Sequence, residues 1–216
     1  MSENDNNGSD NKVIFLGEAG VGKTSLMKVS IGEKFNEVYN SSISLSFNPK
    51  EILYNNKKYV FNLWDTIGQE KYKSLTKIFY KKSKLVIFVY DITNRKSFQN
   101  LNYWVQSVND ELANEKHIKA IVGNKSDLYL KEEVSEAEGK QYASEKKAKF
   151  KLCSAKSDPL SFTKFLDELC IDIVKEENKG KDGDKNNVKL NKKDNTNVKK
   201  KKKILLNILY LFYFIF

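Results

Sequence analysis

The sequence predicts an α/β fold in which helices cover both faces of a mostly parallel sheet. Two observations support this prediction. Apolar runs of strand length alternate along the chain with amphipathic segments of helix length. Several of the runs are apolar throughout, which is typical of strands buried on both faces. With 216 residues, of which 40% are hydrophobic, the chain can build one domain with a substantial core and still leave residues for tails.

The predicted elements follow one another in a regular order. Strands are expected where apolar runs are bounded by glycine or polar residues, and helices where apolar residues recur at helical spacing. Alternation on either side of Asn55-Asn56 predicts a hairpin. The predicted strands are 12–16, 45–54, 57–64, 85–90, 118–122 and 150–153, and the predicted helices begin near Lys23 or span 94–113, 132–146 and 159–174.

Composition divides the chain into four parts. Residues 1–11 are rich in Asn, Asp and Ser and are predicted to be disordered, 12–174 form the domain, 175–203 are a basic low-complexity linker, and 204–216 are a hydrophobic tail. The linker holds 12 Lys and 5 acidic residues, so it carries seven of the ten net positive charges. The domain itself is nearly balanced in charge, and nucleic-acid binding is therefore not favoured.

Targeting and redox features indicate an intracellular protein. Two cysteines, Cys153 and Cys170, are too few for a disulfide framework or a zinc site. No signal architecture opens the chain, and Ser2 stands where N-myristoylation requires glycine.

A phosphate-binding loop lies between the first predicted strand and the first predicted helix. The pattern GxxxxGK[ST] places small residues where backbone N–H groups must approach phosphate, and the helix directs its positive end at the anion. The lysine adds a charge for the β- and γ-phosphates, and the threonine offers a hydroxyl to Mg²⁺. The loop alone does not distinguish ATP from GTP. Its residues are Gly17, Glu18, Ala19, Gly20, Val21, Gly22, Lys23 and Thr24.

A second motif indicates which base is bound. Asn124-Lys125-Ser126-Asp127 follows directly on the predicted strand that ends at Val122-Gly123, and therefore lies at a carboxyl end, where open α/β sheets bind ligands. The carboxylate of Asp127 can accept hydrogen bonds from N1 and N2 of guanine. Adenine offers no such pair of donors, so a buried carboxylate would disfavour it.

Five motifs in this order resemble those of the small GTPases of the Ras superfamily, and of the Rab family in particular, over about residues 12–174. The resemblance implies a three-layer P-loop NTPase G domain with a six-stranded mostly parallel sheet. The Gly-Glu opening of the loop and Ser-Ile-Ser-Leu-Ser-Phe are most similar to endosomal members. The motifs are Gly17–Ser25, Trp64–Glu70, Tyr90–Thr93, Asn124–Asp127 and Ser154–Lys156.

The resemblance also implies a role for each matching residue. Ser25 joins the nucleotide-binding residues, Ser154, Ala155 and Lys156 form the loop at guanine O6, and Lys125 lies along the base. Asp65 holds Mg²⁺ through water, together with Thr24 and Ser42. Gly68 donates its N–H to the γ-phosphate, and Gln69 orients the attacking water.

Two substitutions depart from the family pattern. Ser42, with Ser41 as an alternative register, stands where the family has the switch I threonine, and it keeps the hydroxyl but lacks the methyl that stiffens χ1. Ile67 replaces a small alanine beside the γ-phosphate and is expected to slow intrinsic hydrolysis. No arginine lies in the loop or in either predicted switch, so fast hydrolysis should need an activating protein.

The C-terminus is the third departure, because the chain lacks the prenylated cysteines of the family. Two interpretations of residues 204–216 stay open. Preceded by Lys199–Lys203, they form an interfacial anchor on an anionic membrane surface, since thirteen residues are too short to cross it as a helix. Alternatively, they come from reading through an unrecognised intron.

Three aromatic residues, Phe47, Trp64 and Phe79, match the positions through which Rabs bind partners, although ordinary core packing would also explain them. His117 and Lys146-Lys147 are interpreted as solvated surface.

The leading hypothesis is a monomeric GTP/GDP switch in membrane trafficking that hydrolyses GTP slowly. It would bind Mg²⁺, an exchange factor, an activating protein and effectors, and cycle between the cytoplasm and an intracellular, endosomal membrane. The alternative is a hydrolysis-impaired GTP-binding scaffold of the same family, against which Gln69 argues. A kinase or ATPase is disfavoured by Asn124–Asp127.

Overall fold

A computed structural model describes residues 11–37, 46–65 and 79–184 of the chain, which divides into two units, Met1–Glu177 and Asn178–Phe216. The strands are β1 (Lys12–Leu16), β2 (Ser46–Tyr54), β3 (Lys57–Asp65), β4 (Ser83–Asp91), β5 (Ile118–Asn124) and β6 (Lys149–Leu152). The helices are α1 (Lys23–Ser30), α2 (Arg95–Gln99), α3 (Leu101–Glu111), α4 (Glu136–Glu145) and α5 (Pro159–Asp184), with a 3₁₀ helix at Ser126–Lys131.

The six strands form one sheet in the order β2-β3-β1-β4-β5-β6, which confirms the predicted fold class. Among the six strands of the described residues, only the β2–β3 pair is antiparallel, and it is the predicted hairpin. Asn55 and Asn56 both adopt positive φ in its turn, as a two-residue turn matched to the strand twist requires. The five parallel strands, from β3 to β6, therefore bring their carboxyl ends to one edge of the sheet.

Both faces of the sheet are buried, because successive residues of a strand point to opposite sides. In β1, Val13 and Phe15 enter a core with residues of α1 and α5. Ile14 and Leu16 enter a second core with residues of α3 and α4. The central strands are consequently apolar throughout, as the sequence indicates.

Three predicted helices have different bounds in the structure. The segment 94–113 divides at Asn100, a poor helix former, where the Trp104 N–H lies 3.5 Å from the Asn100 carbonyl. The segment 132–146 begins only at Glu136, after a 3₁₀ turn. The helix predicted at 159–174 continues to Asp184, into the predicted linker. Lysine and glutamate favour helix over 175–177, where Glu177 pairs with Lys84 at 3.1 Å.

Among residues 11–37, 46–65 and 79–184, no helix is both long and apolar enough to cross a membrane.

Helix α4 begins with a capping box that also ties it to α2. Ser135 Oγ accepts the Glu138 N–H, and Glu138 accepts the Ser135 N–H at 3.0 Å. Glu138 also binds the Arg95 guanidinium at 2.5 Å, and this hydrogen bond, followed by those from Ser135, lowers the pKa of Glu138 to about 2.

We expect Ser135→Ala to lower the free energy of unfolding by about 1 kcal/mol, since it leaves a helix N–H without its cap. Urea denaturation at neutral pH measures this. Ser144→Ala, at an exposed position of the same helix, should change stability by less than about 0.5 kcal/mol. Equal effects of the two variants would contradict the capping role.

Candidate nucleotide-binding site

The loop between β1 and α1 follows the carboxyl end of a central strand, and its glycines are required by backbone geometry. Gly17 has φ +144°, and a Cβ there would lie 2.2 Å from the Val89 carbonyl oxygen. Gly22 has φ +96°, and a Cβ there would lie 2.2 Å from Asn124 Nδ2. Gly20, with φ +76°, faces open space. The loop is therefore pressed against the carboxyl ends of β4 and β5, which leaves its outer side for a ligand.

Lys23 is the buried cation of this loop. Its Nζ donates to the Gly17 carbonyl at 3.0 Å and to the Glu18 carbonyl at 2.8 Å. Burial lowers the pKa of Lys23 to about 8, although the charges of Asp65 and Glu18 act to raise it. The ammonium is thus held at the start of α1, where an anion would gain both its charge and the helix N-terminus.

Two oxygen ligands suited to Mg²⁺ meet beside the loop. Thr24 Oγ1 donates to Asp65 Oδ2 at 2.6 Å, although the two residues are 41 positions apart. Asp65 is buried at the end of β3, next to β1. A hydroxyl and a carboxylate are hard donors of the kind that Mg²⁺ prefers, so this pair fits the ion. Ser42, the third predicted metal ligand, lies outside the described residues.

Asn124 connects the phosphate loop to the loop after β6. Its Nδ2 donates to the Val21 carbonyl at 2.9 Å, and its Oδ1 accepts the Ala155 N–H at 3.1 Å. The side chain is buried, and its backbone carbonyl accepts the Ile92 N–H at 3.1 Å. The first residue of the predicted guanine motif therefore braces three loops of the site.

The carboxylate of Asp127 is oriented by the neighbouring loop. Ser154 Oγ donates to Asp127 Oδ1 at 2.5 Å. Ser154 Oγ itself accepts the N–H groups of Lys156 and Ser157, at 3.1 and 3.0 Å. The structure thus brings Asn124, Asp127, Ser154 and Ala155 together at the carboxyl ends of β5 and β6. A carboxylate held in this way can select a base with paired donors.

Lys125 is held by a residue to which the sequence assigned no role. Its Nζ lies 2.6 Å from Asp91 Oδ2, at the end of the adjacent strand β4, and its backbone is left-handed with φ +67°. Asp91 Oδ1 also accepts the Thr93 N–H and hydroxyl. The side-by-side carboxyl ends of β4 and β5 are the signal that could have identified this pair.

Two further contacts at the site are not evident from sequence patterns. Trp104 Nε1 donates to Glu18 Oε1 at 3.1 Å, so α3 holds the second residue of the phosphate loop. Lys156 Nζ lies 2.5 Å from Glu37 Oε1, and this hydrogen bond lowers the pKa of Glu37 and raises that of Lys156.

Ala19 is exposed on the loop, and Ser25 lies in the first turn of α1. Gly68, Gln69 and Ile67 lie outside the described residues.

The three predicted partner-binding aromatics lie side by side at the surface. Phe47 is 56% exposed and stacks on Trp64 with ring centroids 5.2 Å apart. The ring centroids of Trp64 and Phe79 are 6.4 Å apart. Lys12 Nζ lies over the Trp64 ring, 4.9 Å from its centroid. Trp64 also packs against the second core. Core packing therefore describes Trp64, while the exposed Phe47 is available to a partner.

Comparisons with known proteins agree with this geometry. A sequence model of the Ras family matches residues 12–175. The Ras-related protein Rab-10 of Diplobatis ommata is 35% identical over 163 residues, which cover 76% of this chain and 80% of that relative. The Rab-10 of Caenorhabditis elegans is 36% identical over 72% of this chain and 77% of its own length. The Ras-related protein Rab-8B of Bos taurus is 35% identical over 68% of this chain and 70% of its own length. The chain belongs to the Rab family of Ras-superfamily small GTPases.

Proposed function

We propose that this small GTPase is a GTP/GDP switch in membrane trafficking that hydrolyses GTP slowly and recruits partners while GTP is bound. The observation that supports this proposal is the pair of hydrogen bonds made by the Asn124 side chain, which joins the phosphate loop to the loop that orients Asp127. One ligand with phosphates at Lys23 and a guanine at Asp127 would use both motifs at once. Adenine nucleotides would use only the first.

The chain's own residues account for binding and orientation. Backbone N–H groups of the phosphate loop and the Lys23 ammonium bind the phosphates, while Asp127 and Lys125 select and flank the base. Mg²⁺, held by Thr24, Asp65 and Ser42, would neutralise phosphate charge. Gln69 would position water in line with the γ-phosphate, and Gly68 would donate its N–H to that phosphate when GTP is present.

Partners would use the face next to the switches. We propose that exchange factors, activating proteins and effectors contact Phe47, Trp64 and Phe79, since Phe47 is exposed on the edge strand β2 and stacks on the half-buried Trp64. The protein would act as a monomer in the cytoplasm and on the cytoplasmic face of an intracellular membrane, attached through its C-terminal tail. An endosomal membrane remains part of this proposal.

Nucleotide affinity tests the central claim. For the full chain, we expect GDP and GTP to bind at least about 10²-fold more tightly than ATP, because adenine lacks the pair of donors that guanine offers to the Asp127 carboxylate. Asp127→Ala should remove most of this preference. Glu132→Ala, an exposed acidic residue at the end of the same 3₁₀ helix, should keep it. ATP affinity equal to that of GTP would overturn the proposal.

The buried Lys23 predicts proton uptake when nucleotide binds. Its folded pKa of about 8 lies below the ordinary 10.5, so its buried charge costs stability below pH 8, and this cost is relieved as the pH rises from 8 toward 10.5. Phosphate favours the charged form and should restore the proton. At pH 8.5, calorimetry of GDP binding to nucleotide-free protein in buffers of different ionisation enthalpy should report uptake of about three-quarters of a proton.

Lys12 is the matched control for this measurement. Burial also lowers its pKa to about 8, but its Nζ lies over Trp64, away from the phosphate loop. Lys12→Gln should leave the uptake unchanged and Lys23→Gln should abolish it. The opposite pattern would contradict the assignment.

Ile67 is proposed to slow hydrolysis, as its branched side chain is larger than the alanine of the family. Ile67→Ala should raise the single-turnover rate of GTP hydrolysis, and Gln69→Leu should suppress hydrolysis in both backgrounds. Equal rates for wild type and Ile67→Ala would refute the effect of size. Undetectable hydrolysis in wild type that Ile67→Ala restores would favour the alternative function, a GTP-binding scaffold.

A further inference from the structure

A cluster of lysines lies at the amino ends of β5 and β6, the edge of the sheet opposite the nucleotide site. Residues 116–119 and 146–151 contain six lysines and no acidic residue. An open cavity of about 360 Å³ there is lined by His117, Ile118, Lys119, Lys147, Ala148 and Lys149. We call Lys116, Lys119, Lys146, Lys147 and Lys149 the basic patch.

Sheet pairing concentrates these charges. Strands β5 and β6 are parallel neighbours, with Ala120 paired to Lys149, so the residues that precede each strand come together. Lys119 Nζ is 3.3 Å from Asn109 Oδ1, and the pKa of Lys119 is lowered by burial and by the charges of Lys147 and Lys146. Mutual repulsion of this kind is relieved by an anion.

Lys147 also occupies a backbone position that disfavours it. Helix α4 ends with the Ala148 N–H bonded to the Ala143 carbonyl at 2.8 Å, and Lys147 is left-handed with φ +53°. Glycine or asparagine fits such a helix end better. A lysine at the end of a helix gains from the dipole, but Lys146 already supplies that charge, and the dipole does not explain Lys119 or Lys149. Residues that break a local rule are candidates for a functional role.

Two acidic residues, Glu115 and Glu145, lie next to the basic patch in the sequence. Glu115 accepts the Lys82 N–H at 2.7 Å, and Glu145 accepts Gln141 Nε2 at 3.1 Å. His117 Nδ1 lies 2.8 Å from the Glu115 carbonyl. Both carboxylates bond neutral donors and keep their negative charge, but the five lysines of the basic patch outnumber them, so this surface is net positive.

The course of the chain indicates what this surface meets. Helix α5 starts near the nucleotide edge and reaches Glu177, which pairs with Lys84 at the start of β4. The start of β4 adjoins that of β5, with Leu85 paired to Ile118. The first unit of the chain therefore ends at the edge that carries the basic patch, where the linker with Lys199–Lys203 follows in sequence.

We propose that the basic patch docks on an anionic membrane surface, through the phosphate and carboxylate groups of lipid headgroups. This inference deepens the proposed membrane attachment and rests on it, but it does not depend on hydrolysis. Docking by this edge keeps the nucleotide and the Phe47–Trp64 aromatics, at the other end of the sheet, accessible to partners. Each lysine near such a surface should contribute about fivefold to binding.

Vesicle sedimentation of the GDP-loaded full chain tests the proposal. The triple variant Lys119→Gln, Lys147→Asn, Lys149→Gln should bind phosphatidylcholine vesicles containing phosphatidylserine at least about tenfold more weakly than wild type. The control variant Lys96→Gln, Lys131→Gln, Lys164→Gln removes three exposed lysines outside the patch and should lose less than about twofold. Raised salt should reduce the difference in vesicle affinity between the two triple variants.

Lys147→Asn alone separates docking from folding. It removes a charge but suits the left-handed position, so vesicle binding should fall about fivefold while the unfolding temperature stays equal or rises. Equal vesicle binding by wild type and the triple variant, or equal losses in both triple variants, would overturn the proposal. Binding of transfer RNA at the same salt, lost in the patch variant alone, would overturn it in favour of an RNA partner. GDP affinity measured in parallel distinguishes failure of this inference from failure of the nucleotide assignment.

Discussion

One buried amide, that of Asn124, sets the relation between the two halves of the nucleotide site. Its nitrogen bonds the phosphate loop at Val21 and its oxygen bonds the loop after β6 at Ala155. Gly22 must be a glycine because this amide lies where a Cβ would be. A buried amide that loses either partner leaves a polar group unsatisfied, at a cost of about 1–3 kcal/mol. The relative position of these two loops is therefore built into the core rather than imposed by a ligand.

The same core holds the phosphate loop ready for an anion. Lys23 is buried, and two carbonyls of its own loop satisfy its ammonium. Those hydrogen bonds fold the loop back on its lysine and offset part of the cost of burying the charge. Because a phosphate would supply the missing negative charge, ligand binding and loop stability are linked. Trp104 contributes from the opposite core by holding Glu18.

Local patterns predicted the parts of this structure that local physics decides. The hairpin at Asn55-Asn56, the buried strand β1 and the phosphate loop each depend on residues that are neighbours in sequence. The contacts that join the loops could not be predicted, because Asn124 and Val21 are 103 residues apart and Trp104 and Glu18 are 86 apart. Helix ends were the weakest predictions. The break at Asn100 and the extension to Asp184 reflect small differences in helix propensity and pairing that a pattern of apolar residues does not contain.

A parallel sheet separates its two edges by the length of its strands, and this chain places different chemistry at each edge. Carboxyl ends carry the oriented groups of the nucleotide site, several of which, such as Asn124 and Asp127, bond to a residue of another loop. At the amino ends, the five lysines of the basic patch form no ion pair with a carboxylate of the described residues, and one of them is in a left-handed position that a glycine would occupy more easily. Selection for stability alone would favour glycine at Lys147 and a carboxylate near Lys119. Their absence is the physical reason to assign this edge a ligand, and a negatively charged surface is the one that relieves all of these charges together.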